Sequence, residues 1–252
     1  MKGYGQKSVC AGCFLLLLLS QTLWAGGQER ERQFQEAIQA YGRGEYKVAS
    51  QQFQALARDG VSADLLFNLA NSYAQAGESG RAILNYERAR RLAPADSDIK
   101  GNLELIRKEK GLFQEEQSIG QRVITFFELN QWTGLAAISF FLFAIVLLLP
   151  LPPGLKRMPR YVAATLSLFF TAVAISGIIG QYQHWNDGVV IIQGARLRVS
   201  PFASAASVGT IQEGRLVRPG KSHGSYFLVE DETGRRGWLE GDAFESIVGV
   251  EK

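Results

Sequence analysis

The side chains best suited to acid–base, nucleophilic or metal chemistry in this chain are two histidines, His184 and His223, and two cysteines, Cys10 and Cys13. A strand-rich stretch separates the histidines, and we interpret both as ordinary polar loop residues. Both cysteines lie in what reads as an export signal, so a processed chain would have no thiolate nucleophile, disulfide or cysteine metal site. The sequence has no glycine-rich phosphate loop, metal-ligand spacing or nucleophile elbow. We therefore predict that the protein is not an enzyme and that it uses no cofactor and no metal.

The length and net charge of the chain limit which functions and which binding partners are plausible. The chain has 252 residues, enough for two small soluble modules beside membrane spans but not for a large enzyme domain. Its net charge is +3, and it has no long basic run. This composition does not favour binding to nucleic acid.

A repeat indicates the helices that would carry binding residues. Residues 63–94 alternate small with large side chains, as two antiparallel helices require for close approach and filled gaps. The residues that define this packing are Leu69, Ala70, Tyr73, Gly77, Ala82, Tyr86, Ala89 and Pro94. A second copy lies 33 positions upstream, at Ala37, Gly44, Ala49 and Phe53. Ser97–Lys110 then predicts a closing helix with one polar face, the kind of cap that a helical array needs.

The whole unit resembles a tetratricopeptide repeat. The resemblance implies an all-α array with its cap over 30–110, which binds peptides or partner helices along the face formed by the first helix of each repeat. In the register of that family, Gln35, Asn68 and Asn102 occupy equivalent positions on this face. Three amides in a row would hydrogen-bond an extended backbone and tolerate its sequence. The alternative is that they are solvated residues of an exposed helix face.

Two apolar runs predict a transmembrane hairpin. The predicted helices, 132–151 and 161–181, are each about one bilayer core long and contain no charged residue. The loop between them, 152–160, holds Lys156, Arg157 and Arg160. Basic residues in short loops stay on the cytoplasmic side, so the modules before and after the hairpin would both face away from the cytoplasm.

The N-terminus predicts the same orientation. Residues 1–25 combine a basic start, a short apolar core and small residues near a cut site, which is typical of an export signal. An uncleaved anchor is the alternative and gives the same topology. We therefore expect a multi-pass protein of the bacterial inner membrane.

The segments next to the bilayer leave two alternatives open. Residues 111–131 form either an amphipathic segment at the membrane surface or a plain linker helix. Trp132, Tyr182 and Trp185 fit an interfacial aromatic belt. Small residues of the second span allow close packing either within the hairpin or against another membrane protein; they are Ala172, Ala174, Ser176, Gly177 and Gly180.

The residues after the hairpin, 188–249, have the pattern of a small all-β barrel. Turn signals, among them Pro219-Gly220, separate five short β-rich runs. These runs are Val189–Ile192, Leu197–Val199, Val208–Ile211, Leu216–Val217 and Tyr226–Val229. Three segments resemble the bacterial SH3-like family: Ala195–Pro201, Glu213-Gly214 and Gly237–Leu239. We interpret Trp238 as a core plug or, alternatively, a ligand platform; Tyr226 and Phe227 alternate faces, so one of them would remain exposed for binding.

The order of signal, repeats, hairpin and barrel resembles the E-type components of the bacterial aerotolerance (Bat) operon proteins. The architecture carries this resemblance over nearly the whole chain. It implies a noncatalytic scaffold, anchored in the inner membrane, in an envelope complex linked to stress or oxygen tolerance. Its partners would be the von Willebrand A-domain membrane proteins of such operons. Without cysteines in the processed chain, any role in oxidative stress would be indirect.

An alternative function centres on the barrel. In that interpretation the barrel senses peptidoglycan or another envelope component, and the helical array passes its state to membrane partners. Cell-wall binding that is lost together with the barrel would favour this sensor over the scaffold.

Overall fold

The computed structural model describes residues 27–112, 119–149, 158–183 and 185–249. Within these residues the chain forms eight α-helices and a curled antiparallel sheet of seven strands, which makes a half-barrel. Two of the helices are long and apolar enough to cross a membrane. The predicted signal at 1–25 lies outside the described residues. The mixed layout agrees with the predicted one, while the family of each module stays a prediction.

Five consecutive helices pack into what we call the helical array. They are α1 (27–42), α2 (Tyr46–Arg58), α3 (Ala63–Gln75), α4 (Ser79–Leu92) and α5 (Ser97–Glu109). Polar residues begin two of them: Ser62 Oγ accepts the Leu65 N–H at 3.2 Å before α3, and the Asp96 carboxylate accepts the Ile99 N–H at 3.1 Å before α5. These side chains satisfy backbone donors that have no partner within the helix.

The two predicted repeats end their first helices in the same way. Gly44 and Gly77 have φ values of 77° and 83°, in the left-handed region that glycine adopts without strain. The Glu45 N–H then donates to Ala40 O at 3.0 Å, and the Glu78 N–H donates to Tyr73 O at 2.9 Å. In both turns the N–H of the residue after the glycine donates to the carbonyl oxygen five residues earlier, and the two turns are 33 positions apart. The helical unit is therefore repeated at the level of its turn.

The predicted packing residues form the core of the array. Leu69, Ala70, Tyr73, Ala82, Tyr86 and Ala89 are each at most 4% exposed. Gly77 lies exposed in its turn, and half-buried Pro94 lies between α4 and α5. The small residues let the helices approach, and aromatic rings such as Phe34 against Phe53, with centroids 5.5 Å apart, fill the space between them.

A buried ion triad joins α4 to α5. Glu87, 1% exposed, accepts hydrogen bonds from Arg90 at 2.6 Å and from Arg107 of α5 at 2.9 Å. Burial alone would raise the pKa of the Glu87 carboxyl, but the two guanidinium groups outweigh it and hold that pKa below its ordinary value. The carboxylate therefore stays ionised and fixes the position of the closing helix.

Three further helices form the apolar part of the chain. They are α6 (Ile119–Phe126), α7 (Leu129–Leu148) and α8 (Met158–Gln183). α7 begins three residues before the predicted 132, because the Gln131 side chain accepts the Glu128 N–H at 3.1 Å and caps the helix. α8 begins early enough to include Arg160, which donates to Leu147 O at the end of α7. Lys156 and Arg157 lie outside the described residues.

Trp132, one of the three residues predicted for the aromatic belt, is only 5% exposed because its ring packs between helices. Its place at the membrane surface stays a prediction. Its indole N–H donates to Ile124 O of α6 at 3.2 Å. A Cβ on Gly177 of α8 would lie 2.6 Å from the Trp132 ring, and one on Gly180 would lie 2.9 Å from the Ile124 side chain. Packing within the described helices therefore accounts for both glycines. Helix α6 lies against α8, so residues 119–126 are a packed part of the hairpin.

The half-barrel comprises seven strands where the sequence predicted five. They are β1 (Gly188–Val190), β2 (Ala195–Arg198), β3 (Ser207–Ile211), β4 (Leu216–His223), β5 (Tyr226–Asp231), β6 (Arg236–Glu240) and β7 (Phe244–Ser246), in the order β3-β2-β6-β5-β4-β1-β7. β6 was missed because it has charged ends and a glycine, which weaken its β propensity. Pro219-Gly220 is not a turn between strands; it lies within β4 where the pairing with β5 shifts register, a position that tolerates a residue without an N–H.

Replacing Glu87 with Gln should loosen α4 from α5. The change leaves Arg107 buried without a counter-charge and should cost about 3 kcal/mol. In the full chain in nanodiscs, backbone amides of α4 and α5 should exchange with deuterium on the order of 100-fold faster. The wild-type contribution is complete above the ordinary pKa of 4.5 and is lost as the pH falls through the lowered value.

The matched control is Glu104→Gln on the exposed side of α5. It removes the same charge from α5, the helix that the triad holds, at a position outside the triad, so exchange should be unchanged. Equal effects of the two substitutions would contradict a structural role for the triad.

Candidate partner-binding site

The open side of α3 carries Asp64, Asn68, Asn71 and Gln75, all of them exposed or half-buried. Their spacings of three and four residues place them along one side of the helix. The Asn68 side-chain N–H donates to Asp64 O in its own helix at 2.8 Å. Among the described residues no group donates a hydrogen bond to the Asn68 Oδ1, so this oxygen can accept an N–H from a ligand.

Asn71, which the sequence analysis missed, ties this face together. Its Oδ1 accepts a hydrogen bond from Asn102 of α5 at 3.0 Å and another from the Tyr86 hydroxyl of α4. Burial raises the pKa of Tyr86 to about 12, so the hydroxyl keeps its proton and remains a donor. Asn71 comes three residues after Asn68, and that spacing was the signal that could have added it to the row.

Gln35 is separate from this network. It is exposed on α1 and donates to Glu31 of the same helix at 2.9 Å. The structure therefore joins Asn102 to α3 through Asn71, while Gln35 and Asn68 bond within their own helices. We call Asn68, Asn71 and Asn102 the amide face.

The half-barrel docks on α4 through two glycines. The Gly80 N–H donates to the Glu213 carboxylate at 2.7 Å, and a Cβ on Gly80 would lie 2.6 Å from Val190 O. Gly214 has a φ of +86°, and a Cβ there would lie 2.5 Å from Ile83 of α4. A side chain at Gly80 would collide with the backbone of β1 and push the two modules apart, while one at Gly214 would displace the ends of the Ile83 and Leu112 side chains. The Glu213-Gly214 pair thus forms part of the contact between half-barrel and array.

Arg88 holds the last strand of the half-barrel. Its guanidinium donates to Glu245 at 2.8 Å, to Ser246 O at 2.6 Å and to Gly249 O at 3.0 Å. The Arg88 side chain is 8% exposed. A buried guanidinium needs this many acceptors to offset its lost hydration.

The end of α4 also meets the chain that leaves the apolar hairpin. Arg91 donates to Trp185 O at 3.0 Å, and its guanidinium lies 5.7 Å from the centre of the Trp185 ring. Trp185 follows α8 by two residues. The array is therefore attached at the exit of a candidate membrane span as well as to the half-barrel.

The predicted aromatic residues of the half-barrel are all at least half-buried. Tyr226 is 8% exposed and donates to Glu240 at 2.9 Å, and Phe227 packs edge-on against Phe244 with ring centres 5.5 Å apart. Trp238 is half-buried in β6, opposite Leu228. Both Trp238 alternatives, core plug and ligand platform, remain predictions.

The residues suited to catalysis do not converge. His223 lies edge-on to Phe202, with ring centres 5.8 Å apart, while His184, Cys10 and Cys13 lie outside the described residues. Among the residues that the structure describes, no group of three or more His, Cys, Asp or Glu side chains could hold a metal ion. The arrangement offers hydrogen bonds and ion pairs to a ligand.

Comparison of the chain with protein-family models, with curated proteins and with solved structures finds no match.

Replacing Gly80 with Ala should weaken the contact between the modules. Helix propensity alone predicts a gain of up to about 1 kcal/mol from Gly to Ala, but the new methyl group would collide with Val190 O. We expect faster hydrogen exchange in α4 and β1 of the full chain.

Gly101→Ala in α5 is the matched control, because a Cβ there meets nothing within 4 Å. It should leave exchange unchanged or slow it. If both substitutions stabilise the chain alike, the modules are not in contact at Gly80.

Proposed function

We propose that this protein is a noncatalytic, membrane-anchored scaffold that binds an extended segment of a partner protein on the amide face. The array would be a tetratricopeptide-type array and the half-barrel an SH3-like domain, both on the outer side of the bacterial inner membrane. The partners would be von Willebrand A-domain membrane proteins in a Bat-type envelope complex linked to stress or oxygen tolerance. The order of modules along the chain supports this proposal.

One observation carries the binding role: the half-barrel is held by a different part of the array. Its hydrogen bonds to the array come from α4 and from the Lys110 carbonyl just after α5. The half-buried amides of α3 and α5 do not take part in them. The amide face is therefore left for another protein.

The chemistry of that face suits a peptide backbone. Asn68 and Asn102 each commit a side-chain N–H to an internal acceptor, which fixes the amide plane and leaves its carbonyl oxygen as an acceptor. An extended segment presents backbone N–H groups whatever its sequence. Side chains that are already ordered lose little entropy when they bind it.

A photo-crosslinking residue at Asn68 should capture a von Willebrand A-domain membrane protein in living cells. The same residue at Gln51, exposed on α2 away from the amide face, should capture much less of it. Capture of that protein from both positions, or from neither, would contradict the proposal.

The double substitution Asn68→Ala and Asn102→Ala should weaken the same interaction about tenfold or more, because two acceptors are lost at about 1 kcal/mol each. Co-purification of the partner with the full chain measures the loss. Gln51→Ala is the control and should have no effect. Hydrogen exchange of α3 and α5 should separate lost binding from lost folding, since Asn102 also supports Asn71.

The proposed topology predicts opposite labelling of two single cysteines in intact cells, in a chain whose Cys10 and Cys13 are replaced by Ala. A cysteine at the exposed Ser207 of the half-barrel should react with an impermeant maleimide. One at Lys156 should react only after the inner membrane is opened. The reverse pattern would place both modules in the cytoplasm and contradict the proposed site of action.

A further inference from the structure

A polar cleft of about 610 Å³ opens where the start of α4 meets the half-barrel. Its walls come from both modules: Ser79 and Lys110 from the array, and Gln193, Thr210, Arg215 and Arg235 from the half-barrel. The volume lies within the range of about 300–1,000 Å³ that is usual for ligand sites. The cleft is separate from the amide face, which lies on α3 and α5.

The cleft exists before any ligand binds, because its two walls are bonded to each other. Glu213 accepts the Gly80 N–H at 2.7 Å, and the Gln212 side chain donates to Lys110 O at 2.6 Å. The close contact of Gly214 with Ile83 and Leu112 lies behind them. A pre-formed site does not require a ligand to supply the free energy of assembling it.

The cleft offers more donors than acceptors. Three cations converge from separate segments: Lys110, Arg215 and Arg235. Arg235 is paired with Asp231 at 2.7 Å, and Arg215 lies 3.9 Å from Glu232. The Glu213 carboxylate in the wall is already bonded to Gly80. The Lys110 ammonium has no ion pair among the described residues, so it is the cation of the cleft that can pair with a ligand.

This balance favours a ligand with a single negative charge. Two of the three cations already have carboxylates beside them. One further carboxylate would therefore balance the remaining positive charge, whereas a doubly charged phosphate would bring more negative charge than the cleft can neutralise. The Gln193 amide and the Thr210 hydroxyl can bond peptide groups on either side of that carboxylate. No aromatic ring lines the cleft to cover the face of a sugar.

We propose that the cleft between array and half-barrel binds a carboxylate-bearing peptide segment of a partner protein. The Lys110 ammonium pairs with the carboxylate, and the Arg215 guanidinium, whose nearest carboxylate oxygen on Glu232 is 3.9 Å away, adds positive charge in the same wall. Because the ligand touches both modules, its binding also stabilises their contact.

The test uses the full chain in nanodiscs and two peptides, acetyl-Ala-Glu-Ala-Gly-amide and its neutral twin with Gln in place of Glu, titrated by calorimetry. The acidic peptide should bind at least about tenfold more tightly, the effect of one charge-assisted hydrogen bond. Lys110→Gln should remove that difference. Lys108→Gln, two residues earlier at the end of α5 and outside the cleft, should retain it.

Equal binding of the two peptides, or equal losses in Lys110→Gln and Lys108→Gln, would overturn the proposal. A cell-wall disaccharide peptide titrated in parallel tests the source of the carboxylate. If the disaccharide peptide binds and the acidic peptide does not, the ligand of the cleft is peptidoglycan and the assignment to a protein segment is wrong. Crosslinking at Asn68 is independent of all these outcomes, so the proposed function stands or falls separately.

Discussion

The rest of the structure depends on the burial of α4. Ten of the 14 residues of this helix are buried, because α3 and α5 cover one side and the half-barrel covers the other. A helix covered in this way can keep its charged residues only if each finds a partner. Glu87 accepts a hydrogen bond from Arg107 in α5, and the next residue, Arg88, donates one to Glu245 in the half-barrel. Adjacent residues thus bind opposite neighbours.

The two soluble modules are consequently one folded unit and not two domains on a string. Without the half-barrel, Ile83 of α4 would lose its contact with Gly214, and the Arg88 guanidinium would lose its three acceptors. Deleting the half-barrel therefore cannot isolate its function from that of the array. Single substitutions at the surfaces are expected to leave the unit folded, and for that reason they can test the amide face and the cleft separately.

The spacing of small, large and apolar residues along the sequence predicted the helices and their turns, because contacts between residues close in sequence determine these elements. The 33-residue spacing placed Gly44 and Gly77 at the ends of matching helices, and the apolar runs placed both long helices to within a few residues. The contact between modules had no such signal. Gly80 has the sequence pattern of an ordinary helical glycine and Arg88 that of a solvated charge, because their partners lie more than 100 positions away.

Asn71 and Trp132 show the same limit on a smaller scale. The family register selected one amide per repeat, while the hydrogen-bond network is centred on a neighbour three residues further along. Trp132 has the residue type and the position along the chain of an interfacial anchor. Its ring packs against Gly177 of α8, which has no side chain to collide with it. The type of a residue indicates which environment would suit it. The residues that pack around it in the fold, which can lie far away in the sequence, determine which environment it has.

The position of α4 also determines how the proposed membrane partner would reach the cleft. The C-terminal end of the helix meets Trp185 at the exit of α8, and its N-terminal end borders the cleft. Fourteen residues of α-helix span about 20 Å, so the cleft lies at most about that far beyond this junction. An extended chain covers the distance in roughly six residues. The proposed partner, anchored beside the hairpin, would therefore place a short acidic segment in the cleft directly after leaving the bilayer.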